Sequence, residues 1–118
     1  MTMPDHFPQL GVANVPACDS GLPGEIVVFA SNIGPGPSNP RIQVSNIRGR
    51  LAYGKDTFSV SVSDVPAVLD GPGAPWCFSS GELHAIYSWV LLNKQVLLNY
   101  WVSDNYSTRD FLKDLRAL

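Results

Sequence analysis

Seven of the ten prolines stand at positions 4, 8, 16, 23, 35, 37 and 40, in the first third of a 118-residue chain. Each fixes its own φ, removes an N–H donor and drives its predecessor toward extended backbone, so no helix of ordinary length fits before Pro40. Residues 1–24 therefore read as a Pro-rich irregular N-terminal arm, with turns at Asp19-Ser20-Gly21 and Pro23-Gly24. Residues 25–118 are left to form a single α+β domain, a length that suits one core.

From Glu25 the run Ile26-Val27-Val28-Phe29-Ala30 is β-branched and bounded by Gly and Pro, which predicts a strand. The Gly34-Pro35-Gly36-Pro37 loop ends it. Ile42 to Ser45 alternates, Ile47 to Tyr53 continues, and Gly54-Lys55-Asp56 turns the chain into Thr57 to Ser63. In that last run Phe58, Val60 and Val62 share one face and Ser59, Ser61 and Ser63 the other, as in a strand with one buried side. Tyr53 and Thr57 flank the turn, so an antiparallel hairpin is expected there.

Ser79-Ser80-Gly81-Glu82 fits a capping box, and a long apolar helix is expected from Ser80 to Val102. Leu83, Ile86, Val90 and Leu97 form one stripe, yet Trp89, Leu92, Val96, Tyr100 and Trp101 spread apolar surface around most of the circumference, as on a helix covered on more than one side. Ser107 or Thr108, with Asp110, starts a short C-terminal helix whose Phe111, Leu112, Leu115 and Leu118 share a face. The fold class is α+β: a small antiparallel sheet of about three strands, then a long apolar helix and a short one. Such a sheet is too small to cover the aromatic helix. Tyr87, Trp89, Val96, Tyr100 and Trp101 are thus the candidate partner interface, toward another protein or a second copy, with the short C-terminal helix and the N-terminal arm as the competing covers.

Charge is uneven. Residues 1–40 hold no Lys or Arg, and Arg41, Arg48, Arg50 and Lys55 then arrive within fifteen positions. Arg48 and Arg50 share a strand face by period 2, and with Arg41 and Lys55 they form a candidate nucleic-acid contact. The competing reading is a sheet edge guarded by charge, and a net charge of -2 gives phosphate no long-range attraction. Charged residues make up 15% of the chain and hydrophobic ones 45%, which excludes a disordered charged tail or a broadly basic binder.

The apolar runs fall well short of the roughly 18 residues that span a membrane, and Met1 to Leu10 lacks the basic and apolar regions of a secretory signal. A soluble, cytoplasmic protein with no membrane partner is expected. Cys18 and Cys77 then read as reduced structural thiols, Cys77 as a small buried hydrophobe between Trp76 and Phe78. His6, Cys18, Cys77 and His84 lack the paired spacing of a zinc site, so neither metal nor cofactor is expected. Cys77 and His84 offer a nucleophile and a base, but no oxyanion hole or orienting carboxylate accompanies them, and no catalytic residue is assigned. Asp64, His84 and Cys77 are the residues a small enzyme or toxin would draw on.

Three segments carry a likeness: Arg41 to Gly49, Phe58 to Asp64, and the helix with Trp89, Asn93, Leu97, Leu98, Tyr100 and Trp101. Together they resemble a small bacterial domain-of-unknown-function family, some of whose members are encoded near toxin–antitoxin genes. The likeness covers roughly Glu25 to Leu118, and the run Trp89 to Trp101 is its most specific part. Many members carry a His-rich Pro-His-Phe-His-Val where this chain reads Pro40-Arg41-Ile42-Gln43-Val44, so no metal or catalytic role transfers to that segment. The resemblance implies lineage rather than mechanism. The expected function is a non-enzymatic protein-interaction module of a toxin–antitoxin or phage–host conflict system, with nucleic-acid binding through the basic hairpin as the alternative and a small toxin or enzyme as the third reading.

Overall fold

Alternation and pairing agree at the centre of the molecule. The computed structural model describes residues 12–31, 39–50, 56–69, 73, 75–102 and 105–118. Strand β3 (Arg41–Ser45) pairs antiparallel with β4 (Thr57–Ser61), Arg41 opposite Ser61 and Ser45 opposite Thr57. Strand β2 (Val28–Ser31) pairs with β3, and β1 (Val12–Val15) with β2, giving the order β1-β2-β3-β4. This register places Ala13, Val15, Val28, Ala30, Ile42, Val44, Phe58 and Val60 on one buried face. Phe29, Gln43 and Ser59 lie on the other, where the Ser59 hydroxyl donates to Gln43 Oε1 at 3.1 Å. Ala67 to Leu69 runs along β4, accepting from the Ser61 N–H and donating to the Ser59 carbonyl, both at 2.9 Å.

The sheet departs from expectation in two places. It has four strands among the described residues rather than about three, because Val12–Val15, inside the stretch read as an irregular arm, is a strand. Pro16 does not prevent it: proline imposes extended backbone on its predecessor and is tolerated at a sheet edge. One helical turn, α1 (Ala17–Ser20), follows and closes on Gly21 at φ 77°. The second departure is the partner of β4, which is Arg41–Ser45 and not the segment from Ile47. Residues 46–50 turn instead, organised by the buried Ser45 hydroxyl, which accepts from the Ile47 N–H at 3.0 Å and donates to the Arg50 carbonyl at 2.8 Å. Tyr53 and the expected turn at Gly54-Lys55 lie outside the described residues.

Helix α2 (Ser80–Leu92) opens on the expected capping box. The Ser79 hydroxyl accepts the Glu82 N–H at 3.0 Å, and Glu82 Oε1 accepts the Ser79 N–H at 2.9 Å. The helix does not run unbroken to Val102, because Asn93 interrupts it and α3 (Lys94–Val102) follows. Asn93 falls in the same stripe as Ile86, Trp89, Val90, Leu97, Tyr100 and Trp101, and like them it is buried. A buried carboxamide must find partners. Its Nδ2 donates to the Trp89 carbonyl at 3.1 Å and the Arg116 carbonyl at 2.9 Å, while Oδ1 accepts the Arg116 N–H at 2.7 Å.

Helix α4 (Thr108–Asp114) is capped by Ser107, whose hydroxyl accepts the Asp110 N–H at 3.0 Å. It brings Phe111 into the core while Leu112, the next residue round the helix, faces solvent; the helix stops at Asp114, and Leu118 beyond it is exposed, so neither joins Phe111 in one buried face. Helix α3 packs on β2 and α4 on β1.

Asn93→Ala should lose three hydrogen bonds worth about 1 kcal/mol each and regain about 0.5 kcal/mol of helix propensity, a net loss of about 2 to 3 kcal/mol. Urea denaturation followed by circular dichroism measures this difference.

Candidate interaction surface

The aromatic residues of the helices find their cover within the chain. Trp89, Tyr100 and Trp101 are buried, and Tyr87 and Val96 are half-buried against the core, so the interface expected from these five is turned inward. Helix α4 supplies what the sheet cannot. Phe111 stacks on Tyr100 with ring centroids 4.0 Å apart, Tyr106 meets both rings edge-on, and the Tyr100 and Thr108 hydroxyls bond at 2.7 Å. Burial wins even where it is imperfect. Trp89 Nε1 is buried without a hydrogen-bond partner among the described residues, a cost of about 1–3 kcal/mol, against about 4–6 kcal/mol for burying an indole at about 25 cal/mol per Å².

The described basic residues are not gathered on one strand: Arg41 lies in β3, and Arg48 and Arg50 lie in the turn after it. Arg48 bridges to Glu82 with both nitrogens, Nη1 to Oε2 at 2.8 Å and Nη2 to Oε1 at 3.0 Å. The same Nη1 donates to the Gly24 carbonyl at 2.8 Å, and the guanidinium lies 4.7 Å from the Phe78 ring centre. Arg48 is therefore occupied within the fold. Arg41 sits at the far end of β3, about 13 Å of strand before Ser45, with its Nε on the Asn39 carbonyl. Arg50 is exposed in the turn and Lys55 lies outside the described residues. The hydrogen bonds from Arg48, then the Ser79 N–H, hold the Glu82 carboxyl down at about 2, and Glu82 in return raises Arg48.

Of the residues an enzyme would draw on, Asp64 is ion-paired with Lys94, which lowers its carboxyl, and His84 is exposed. Cys18 and Cys77 are free thiols, and both are exposed; Cys77 is not the buried hydrophobe expected, because the 3-10 turn Pro75–Cys77 leaves only the following Phe78 facing the core. Among the described residues no group of three or more His, Cys, Asp or Glu could hold a metal ion, and no helix is long and apolar enough to cross a membrane.

An apolar row remains on the outer side of α2 and α3. Leu91 and Val102, about three helical turns apart, share the outer side, and Tyr87 and Leu98, which pack partly against the core, border it. Leu91 is 49% exposed and Val102 56%, while Tyr87 and Leu98 are half-buried. The Lys94–Asp64 ion pair fastens the loop carrying Val65, itself 80% exposed, one helical turn from Leu91. At its other end the row meets an open cavity of about 430 Å³ lined by Asn99, Val102, Tyr106 and Asp114. There the Tyr106 hydroxyl donates to the Asp114 carboxylate. Burial first, and that bond second, push the phenol up to about 12, so it remains a neutral donor.

No protein family, curated protein or solved structure matches this chain. The likeness drawn from its three segments therefore stands on those segments alone.

Glu82 binds its proton less readily folded than unfolded. Its contribution to stability is thus complete above about pH 5 and is lost as the pH falls toward 2. Melting temperatures measured from pH 6 to pH 2 should fall more steeply for the unmodified protein than for Glu82→Gln.

Proposed function

We propose that this chain is a small non-enzymatic protein-interaction module, of the kind encoded beside toxin–antitoxin genes, and that it binds through the outer row of α2 and α3. The observation that carries the reading is the exposure of Leu91 and Val102 on one helical face, with a cavity at its end. A fold that buries Trp89, Tyr100, Trp101 and Phe111 still leaves this row in water. Its surroundings suit an interface with an apolar centre and a polar rim: Lys94 and Asp64 flank it on one side, and Gln95 donates to Asn99 at 3.1 Å on the other. The cavity beside Val102 gives a partner side chain a place to anchor. The genomic setting rests on the sequence resemblance.

Leu91→Gln combined with Val102→Gln should lower the melting temperature only modestly, because about half of each side chain is already in water and glutamine adds no charge at the helix C-termini. Burying each is worth about 1.5–3 kcal/mol, so even half of one is a several-fold effect and the pair should weaken binding at least tenfold. Light scattering for a second copy and native co-purification for another protein, run on both forms, measure this. A strictly monomeric, unpartnered unmodified chain, or a variant that binds equally well, overturns the reading.

A further inference from the structure

Two helices end at the open cavity of about 430 Å³, and both present their negative poles to it. Asn99 and Val102 belong to the last turn of α3, and Asp114 is the final residue of α4. Aligned peptide dipoles leave roughly half a negative charge at a helix C-terminus, which a cation relieves and a carboxylate aggravates. Yet α3 carries no basic residue in its last turn, and α4 ends on a carboxylate. Lys113 stands about 100° round α4 from Asp114 and takes no part in the lining. Asp114 Oδ2 accepts the Tyr106 hydroxyl, while Oδ1 receives no donor among the described residues. Nor does Asp114 have an ion-pair partner among them, whereas Arg48 is paired with Glu82 and Lys94 with Asp64. Asp110, one turn earlier on α4, adds a second carboxylate to the field at Tyr106. An unpaired acid placed against its own helix dipole breaks a local rule, and folded proteins break such rules chiefly at functional sites.

We propose that this cavity receives an arginine side chain of the partner protein, with the guanidinium on Asp114 and the aliphatic stem against Val102 and Tyr106. The proposal rests on the outer face being the one that meets a partner, and it names what that partner inserts. Charge complementarity selects the occupant. An acidic side chain would meet like charge at two helix ends, and a neutral one would leave Asp114 unpaired. Between the two basic side chains the walls decide, because Val102 is apolar and the Tyr106 ring is electron-rich. A lysine ammonium is a compact, strongly hydrated charge, whereas a guanidinium sheds water more readily and lies flat on an aromatic ring. Its N–H groups also suffice for Asp114 Oδ1 and for the last carbonyls of α3, which a helix leaves without intrahelical donors.

The test titrates the whole 118-residue chain at low salt with N-acetyl-arginine methylamide and, separately, with its citrulline analogue, which has nearly the same shape and no charge. NMR should show shifts centred on the Asn99 carboxamide, the Val102 methyls and the Tyr106 ring, with half-saturation about fivefold lower for arginine. Added salt should narrow that ratio. Asp114→Asn, which keeps an acceptor for the Tyr106 hydroxyl, should bring arginine to the level of citrulline with the circular dichroism spectrum unchanged. Tyr106→Phe should leave the arginine preference in place, since ring and carboxylate both remain. Equal half-saturation for the two ligands, shifts that are absent or centred elsewhere, or a preference that survives Asp114→Asn overturns the proposal. The probe does not cover Leu91, so its failure removes the anchor and leaves the row, while failure of the row leaves the probe result standing.

Discussion

The carboxamide of Asn93 sits in the apolar seam between the helices and the sheet, where an unpartnered polar group would cost about 1–3 kcal/mol. Two of its three bonds go to a single residue, Arg116, which is 23 positions away. The path of the C-terminal segment follows from that requirement, and so does the placement of α4, which must come back across the sheet to deliver Arg116. Phe111 then reaches Tyr100, and the aromatic cluster closes over β1 and β2. A single polar residue in an apolar seam acts here as it does in a coiled coil, fixing one arrangement of the elements around it.

A second junction fixes the opposite end of α2. Glu82 caps the helix through the Ser79 N–H and also holds Arg48, which in turn holds the Gly24 carbonyl. Three segments far apart in sequence converge on one carboxylate. The fit is close: a Cβ at Gly24 would lie 2.3 Å from Glu82 Oε2 and 2.4 Å from Arg48 Nη1. Clustering of basic residues along the chain is thus a poor guide to surface potential. The member at the centre of the cluster is neutralised by a partner 34 positions away.

Local signals were legible wherever the physics is local. The capping box at Ser79 and the cap at Ser107 depend on neighbours within four residues and appear in the structure, whereas the alternation from Phe58 holds in facing but not in burial, because Thr57 and Ser59 on the other side are buried too. Strand β1 was hidden because proline signals extended backbone without distinguishing a loose arm from an edge strand. The aromatic surplus needs no second chain to cover it, because Phe111 and Tyr106 complete the enclosure that the sheet begins. Asn93 did leave a trace, as the one polar residue in the stripe running from Ile86 to Tyr100. Its meaning depends on Arg116, and no local pattern announces that pairing.

The dimensions of the outer row bear on the kind of complex it supports. From Tyr87 to Val102 the helices advance about 22 Å, and a strip about 10 Å wide over that length offers about 220 Å², against about 800 Å² per partner in a standard interface. The row alone therefore suits a weak, concentration-dependent contact. A tighter one has to extend over the Val65 loop on one flank and into the cavity by Tyr106 and Asp114 at the end, where a partner's hydrogen-bond donor would meet the Asp114 carboxylate. Affinity would then reside at the ends of the row, with the leucines between them excluding water.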